Sequence, residues 1–286
     1  MSARAGDPRP IGVFDSGVGG LTVLEALERA LPAESMVYLG DTARVPYGTR
    51  SPETVIRYSR EAARFLRAHD VKMVVVACNT ASAVAMEAIA QEAGVPAIGV
   101  IGPGARSAVE RSRSGRIGVI GTRATVGSAA YTVAIHALAP DAEVFSRACP
   151  LLVPLAEEGW VEGEVARAVA ESYLAPLLEA GIDTLVLGCT HYPLLRPTLA
   201  AVAGPDVALV DSAESVATEV RARLDGDTRL AAPAGARSAA PRRFFVTDAP
   251  GPFLEIAERF LGRPLHHLDR ADLAWYADAP RHGETR

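Results

Sequence analysis

The chain has 286 residues, of which 49% are apolar, and a net charge of −5. That is enough for one large domain or two of ordinary size with a sizeable core, and the acidic balance excludes a general nucleic-acid binder, which needs a basic surface to pair with phosphates. No stretch reaches the roughly 18 uncharged apolar residues of a membrane helix, and "MSARAGDPRP" at the N-terminus lacks the apolar core of a secretory signal. A cytoplasmic location is therefore expected, with Cys78, Cys149 and Cys189 as free thiols.

Strand and helix signals alternate along the chain, the pattern of an α/β fold with mostly parallel strands. "IGVF" (11–14) reads as the first strand, followed by a Gly-rich turn and a helical pattern near 20–30. "MVYL" (36–39) is the second. Ser51 and Pro52 then look like the N-cap and first position of a helix whose apolar stripe is Val55, Tyr58, Ala62, Phe65 and Leu66. "MVVVA" (73–77) leads into Cys78, an Ala-rich helix covers 81–93 up to Gly94, and "AIGV" (97–100) is the fourth strand.

The pattern then restarts. "RIGVIG" (116–121) echoes "IGVFDSG", with a helix near 124–137 and a short strand around 143–146. A helix follows at 161–180, in which Pro176 predicts a kink or break. "TLVLG" (184–188) leads into Cys189, a helix follows near 195–203, and "VALV" (207–210) is the last strand of the set. Each half holds four strands, and each cysteine follows the third, so the chain reads as a degenerate repeat of about 110 residues. The expected architecture is two similar α/β domains facing each other across a cleft. The first is 1–100 plus 212–286, made discontinuous if the helix at 212–224 packs on it, and the second is 101–211. "RLDGDTRLAAPAGARSAAPRR" (223–243) reads as a flexible surface loop, "FFVT" as a strand and "GPFLEIAERFLG" as an amphipathic helix; disorder is expected after 278.

Ligands of parallel α/β sheets bind at the carboxyl ends of strands. Four such ends carry small polar residues: "FDSGVGG" with Asp15 and Ser16, "GDTARVPYG" with Tyr47 and Gly48, "CNTAS" with Cys78, Asn79 and Thr80, and "CTHYP" with Cys189, Thr190 and His191. The first is not a dinucleotide fingerprint, since an Asp precedes the glycines and would repel a phosphate. Each thiol stands just before a helix, whose N-terminal amides predict a lowered pKa. A lone cysteine after a buried strand is ordinarily packing, and Cys149 is read that way; two at matching places in a repeat are not. A redox pair lacks C-x-x-C, and a metal site with His191 as third ligand lacks paired-ligand spacing. Two opposed acid/base groups on either face of a small substrate remain, one removing a proton and the other supplying one. That chemistry is racemisation.

Together "IGVFDSGVGGLTV", "YLGDTARVPYG", "VVACNTASA", "RIGVIGT" and "LGCTHYPLL" resemble the glutamate racemase family, from about residue 10 to residue 215. The resemblance implies interconversion of L- and D-glutamate without a cofactor or metal, with D-glutamate supplied to peptidoglycan. It implies that Cys78 takes the proton from D-glutamate and Cys189 from L-glutamate. Asp15 and His191 match auxiliary groups tuning the thiols, and Glu157 matches the acid of the family's "VPLVE" segment, here "VPLAE". Asp15, Ser16, Tyr47, Gly48, Asn79, Thr80, Thr190 and His191 match substrate-binding positions. The loop at 225–242 departs from the family pattern, and with so short an N-terminus no activator-binding extension is expected. A homodimer rests on the resemblance alone. Two alternatives stay open: an aspartate racemase of the same superfamily, and a non-catalytic amino-acid binding protein with a two-lobed cleft.

Overall fold

The computed structural model describes residues 6–227, 230–232, 241–248, 250–265 and 267–277; much of the loop expected at 223–243 and the tail from 278 lie outside the described residues. The first half runs β1 (Ile11–Asp15), α1 (Leu21–Ala30), β2 (Met36–Gly40), α2 (Pro52–Ala68), β3 (Met73–Val76), α3 (Asn79–Val84), α4 (Met86–Ala93) and β4 (Ala97–Gly99). The second runs α5 (Ile101–Arg111), β5 (Arg116–Gly121), α6 (Arg123–Gly127), α7 (Ala130–Leu138), β6 (Glu143–Ala148), α8 (Leu152–Glu157), α9 (Glu164–Glu179), β7 (Thr184–Gly188), α10 (Arg196–Ala203) and β8 (Ala208–Asp211). There follow α11 (Ser212–Gly226), β9 (Arg242–Val246), α12 (Pro250–Leu261), β10 (Asp269–Arg270) and α13 (Ala274–Ala277).

The strands form two sheets, ordered β10-β9-β2-β1-β3-β4 and β6-β5-β7-β8. Every pairing is parallel. Within each half the order is second, first, third, fourth, so the repeat seen in the sequence is a repeat of topology. Strands β1, β3 and β7 are buried along their full length, as expected of parallel strands covered on both faces. This puts Ser16 beside Cys78 and Thr122 beside Cys189. One apolar cluster joins the halves: Val13, Leu21 and Leu24 pack with Leu185, Leu187 and Leu195, and with Val216 of α11 and Phe253 and Phe260 of α12.

Local chemistry sets the helix ends. The Ser51 hydroxyl accepts from the Thr54 N–H at 3.4 Å with Pro52 at the first position of α2. Gly94 ends α4 in the left-handed region at φ 66°. Several expectations need correction. The helix expected at 81–93 is two, divided at Ala85, and that expected at 124–137 is two, divided where Ala129 takes φ 55°. Pro176 does not break α9; the one ladder hydrogen bond it removes is outweighed by the burial of Leu174 and Leu177. Helix α5, in a stretch the sequence reading left unassigned, begins with "IGPG", where a proline in the first turn gives up only an unneeded N–H.

The described part of the 223–243 stretch is not a free surface loop. Helix α11 extends to Gly226, Leu230 and Ala231 pack against the core, and the Ala231 carbonyl accepts from the Asp7 N–H at 2.9 Å. The Ala232 N–H donates to Glu34 Oε1 at 2.6 Å. Glu34 in turn holds Lys72, a lysine 1% exposed, whose ammonium also donates to the Asp7 carbonyl at 3.0 Å. A buried carboxylate left without its cation is strongly unfavourable. Lys72→Met is expected to lower the free energy of urea unfolding by about 3–5 kcal/mol, and adding Glu34→Leu to restore much of the loss. A single variant as stable as the parent would show that this pair does not hold the loop and the first sheet together.

Candidate active site

Strand β3 delivers Cys78 to the start of α3, where the Ala81 N–H donates to its sulfur at 3.5 Å and the thiol donates to Ser16 Oγ at 3.4 Å. Strand β7 delivers Cys189 beside His191, whose Nδ1 lies 3.8 Å from the sulfur. The other ring nitrogen, Nε2, stands 2.9 Å from Glu157 Oε1 at the end of α8. Both cysteines are buried and free, and both line one cavity of about 330 Å³. Ser16, Tyr47, Gly48, Asn79, Thr80, Glu157, Thr190 and His191 line it with them.

Glycines let the walls come this close. A Cβ on Gly19 would stand 2.3 Å from Thr190 Oγ1 and 2.5 Å from His191 Nδ1; one on Gly48 would stand 2.7 Å from Thr122 Cβ. Both contacts are across the two halves, so the cleft floor is backbone against side chain. Helix α12 supports the Cys189 side. Phe260 meets the His191 ring edge-on at 5.3 Å between centroids, and Arg259 donates to the Glu157 carbonyl.

Two site residues sit otherwise than expected. The Tyr47 hydroxyl does not reach into the cavity: it donates to Asp41 Oδ2, which is also bound by Arg44. Asp15 is fully buried and outside the cavity lining, and accepts from the Gly17 N–H at 2.9 Å. Cys149 stays out of the cavity, with its thiol on the Arg147 carbonyl. The sequence reading missed Thr122 and Thr125. Their hydroxyls are 3.0 Å apart, and 3.0 and 3.2 Å from Thr80 Oγ1 on the opposite wall. The signal was present: Thr122 follows the first strand of its half, as Ser16 follows Asp15 at the end of the first strand of the other.

The sequence profile of the Asp/Glu/hydantoin racemase family matches residues 11–220. The chain belongs to this family. It is 55% identical over 265 residues to the glutamate racemase of Geobacter metallireducens, over 93% of this chain and 97% of that one. To the glutamate racemase of Syntrophus aciditrophicus it is 51% identical over 273 residues, 96% and 100% of the two chains. The solved glutamate racemase of Francisella tularensis, in complex with D-glutamate, superposes with a TM-score of 0.87 at 38% identity, over 94% of this chain and 99% of that one.

The surroundings of the two thiols differ. The expectation that a helix start lowers both fails at Cys78. Burial, and then the Asp15 carboxylate, push its thiol up to about 12, against the Ser16 hydroxyl and the Ala81 N–H. A six-residue helix offers too weak a field to offset that burial. Burial also lifts Asp15 above the usual carboxylate range, against the His191 charge and the Gly17, Gly20 and Ser16 amides. On the other side, burial works against an imidazolium at His191. The Cys189 sulfur and the Glu157 carboxylate outweigh it and raise His191 to about 10. The folded value lies above that of a free histidine, so this pairing adds stability in full below pH about 6.5 and loses it as pH rises through about 10. Glu157→Gln is expected to move the His191 ring titration, followed by the NMR shift of its Cε1 proton, to lower pH. An unmoved titration would mean that Glu157 does not hold the imidazolium.

Proposed function

We propose that this chain interconverts L- and D-glutamate by a two-base mechanism in which Cys78 and Cys189 act on opposite faces of the α-carbon. The observation that carries the reading is the placement of two unpaired thiols, each at the end of the third strand of its half, on one cavity of about 330 Å³. Residues 1–100 with 212–286 form one proposed lobe, and 101–211 the other. Cofactor-free inversion needs one sulfur ready to take a proton and one ready to give it. Cys189, beside a histidine lifted to about 10, fits the first role, and Cys78, held protonated by burial and Asp15, fits the second. That state is the one needed to start from L-glutamate: Cys189 removes the α-proton, Cys78 delivers its own from the other face, and the reverse reaction starts with the roles exchanged.

The α-hydrogen of an amino acid is only weakly acidic, so the site must stabilise the carbanionic charge. The Ser16, Thr80, Thr122 and Thr190 hydroxyls and the Asn79 amide line the cavity and supply donors for the carboxylates. Closure of the lobes would exclude water. Glutamate is favoured over aspartate because the relatives at about half identity over nearly the whole chain bear the name glutamate racemase, whereas the family profile alone spans both substrates. The product D-glutamate would serve peptidoglycan synthesis.

Incubation with L-glutamate or L-aspartate in D2O, without added cofactor, followed by chiral chromatography and mass spectrometry, tests the reading. D-Glutamate carrying one solvent deuterium is expected, with the remaining L-glutamate unlabelled at early times. Cys78→Ser and Cys189→Ser are each expected to slow both directions by about 10²–10⁴-fold, the range a positioned acid or base contributes. Normal rates in either variant would sink the two-thiol mechanism. Label in aspartate alone would make the chain an aspartate racemase, and bound but unlabelled glutamate would leave only a binding protein.

A further inference from the structure

Asn79 directly follows Cys78 and lines the cavity, yet it is 3% exposed and only one end of its amide is engaged. Its Oδ1 accepts a hydrogen bond of 2.8 Å from the Tyr131 hydroxyl, and its Nδ2 has no partner among the described residues. A buried amide nitrogen with two unsatisfied protons is unfavourable unless something arrives to accept them. An amide whose oxygen is already held cannot flip to offer the other end.

Tyr131 belongs to the other half. It is the second residue of α7, 2% exposed, and its ring fills space that two glycines leave open. A Cβ on Gly104 would stand 3.2 Å from the ring and hydroxyl, and one on Gly188 would stand 3.1 Å from the ring. Gly188 directly precedes Cys189. One tyrosine therefore packs on the backbone before one cysteine and binds the side chain after the other. Burial holds the phenol above its ordinary range, so it remains a donor throughout the neutral and mildly alkaline range.

We propose that Tyr131 is a positioning residue that fixes the Asn79 amide with its Nδ2 protons toward the cavity, where they meet a carboxylate of the substrate. This rests on the glutamate reading given above. The hydroxyl itself touches no substrate; it orients the group that does, and it does so across the boundary between the two halves.

A double-mutant cycle tests it. Wild type, Tyr131→Phe, Asn79→Ala and the double variant are compared by calorimetric titration with D-glutamate, by kcat and KM, and by thermal melting. Tyr131→Phe is expected to melt as a folded protein, to bind D-glutamate about tenfold more weakly and to raise KM by a similar factor while changing kcat less, the size of one lost oriented hydrogen bond. The double variant is expected to bind within about twofold of Asn79→Ala, because the tyrosine acts only through the amide. Unchanged binding in Tyr131→Phe, additive losses in the double variant, or a Tyr131→Phe chain that does not fold would each overturn the proposal, the last because the hydroxyl would then serve the fold. A wild type that binds glutamate without turning it over would sink the racemase reading and leave this one standing. A wild type that neither binds nor converts glutamate would remove both.

Discussion

Gly19 lies against Thr190 and His191 with no room for a methyl carbon, and Gly48 lies against Thr122 in the same way. The rest of the site depends on these two contacts. Parallel sheets put small polar side chains at their carboxyl ends, and a repeat of the same topology supplies two such ends. Only where the two ends approach to backbone distance do they enclose a space the size of a small amino acid. A side chain at Gly19 would meet the Thr190 hydroxyl and then the imidazole, so the cost would fall on the Cys189 side of the cavity.

The same topological position carries different chemistry in each half. Cys78 has a hydroxyl, a backbone amide and a buried carboxylate near it, and burial holds its proton. Cys189 has an imidazole backed by a carboxylate. The asymmetry comes from side chains the two halves do not share: Asp15 ends β1 where Gly121 ends β5, and Glu157 comes from α8, between β6 and β7.

Much of this was legible in the sequence because burial leaves marks. Apolar runs bounded by Gly, Asp and Cys gave the strands β1, β3, β5 and β7, and their order gave the fold. The polar residues following them gave most of the cavity wall. Three kinds of feature were not legible. Helices α5 and α8 went unassigned because Gly and Pro interrupt their first turns, and only packing shows that "IGPG" and "LVPL" are helical. The direction of a side chain is set by tertiary partners, so Tyr47 was read as a donor to the cavity when Asp41 takes its hydroxyl. The balance between a helix terminus and burial is a matter of depth, which no motif records; hence the thiol of Cys78 moves up where a fall was expected. Tyr131 stood inside a recognised helix and gave no sign that its hydroxyl crosses to the other half.

Helix α12 follows both halves in the chain, yet Phe260 braces His191 and Arg259 braces the Glu157 carbonyl. Strand β9, just before it, completes the first sheet beside β2. During synthesis both cysteine-bearing units are made well before these parts. A chain cut before α12 would therefore leave the His191 ring without Phe260 and the Glu157 carbonyl without Arg259.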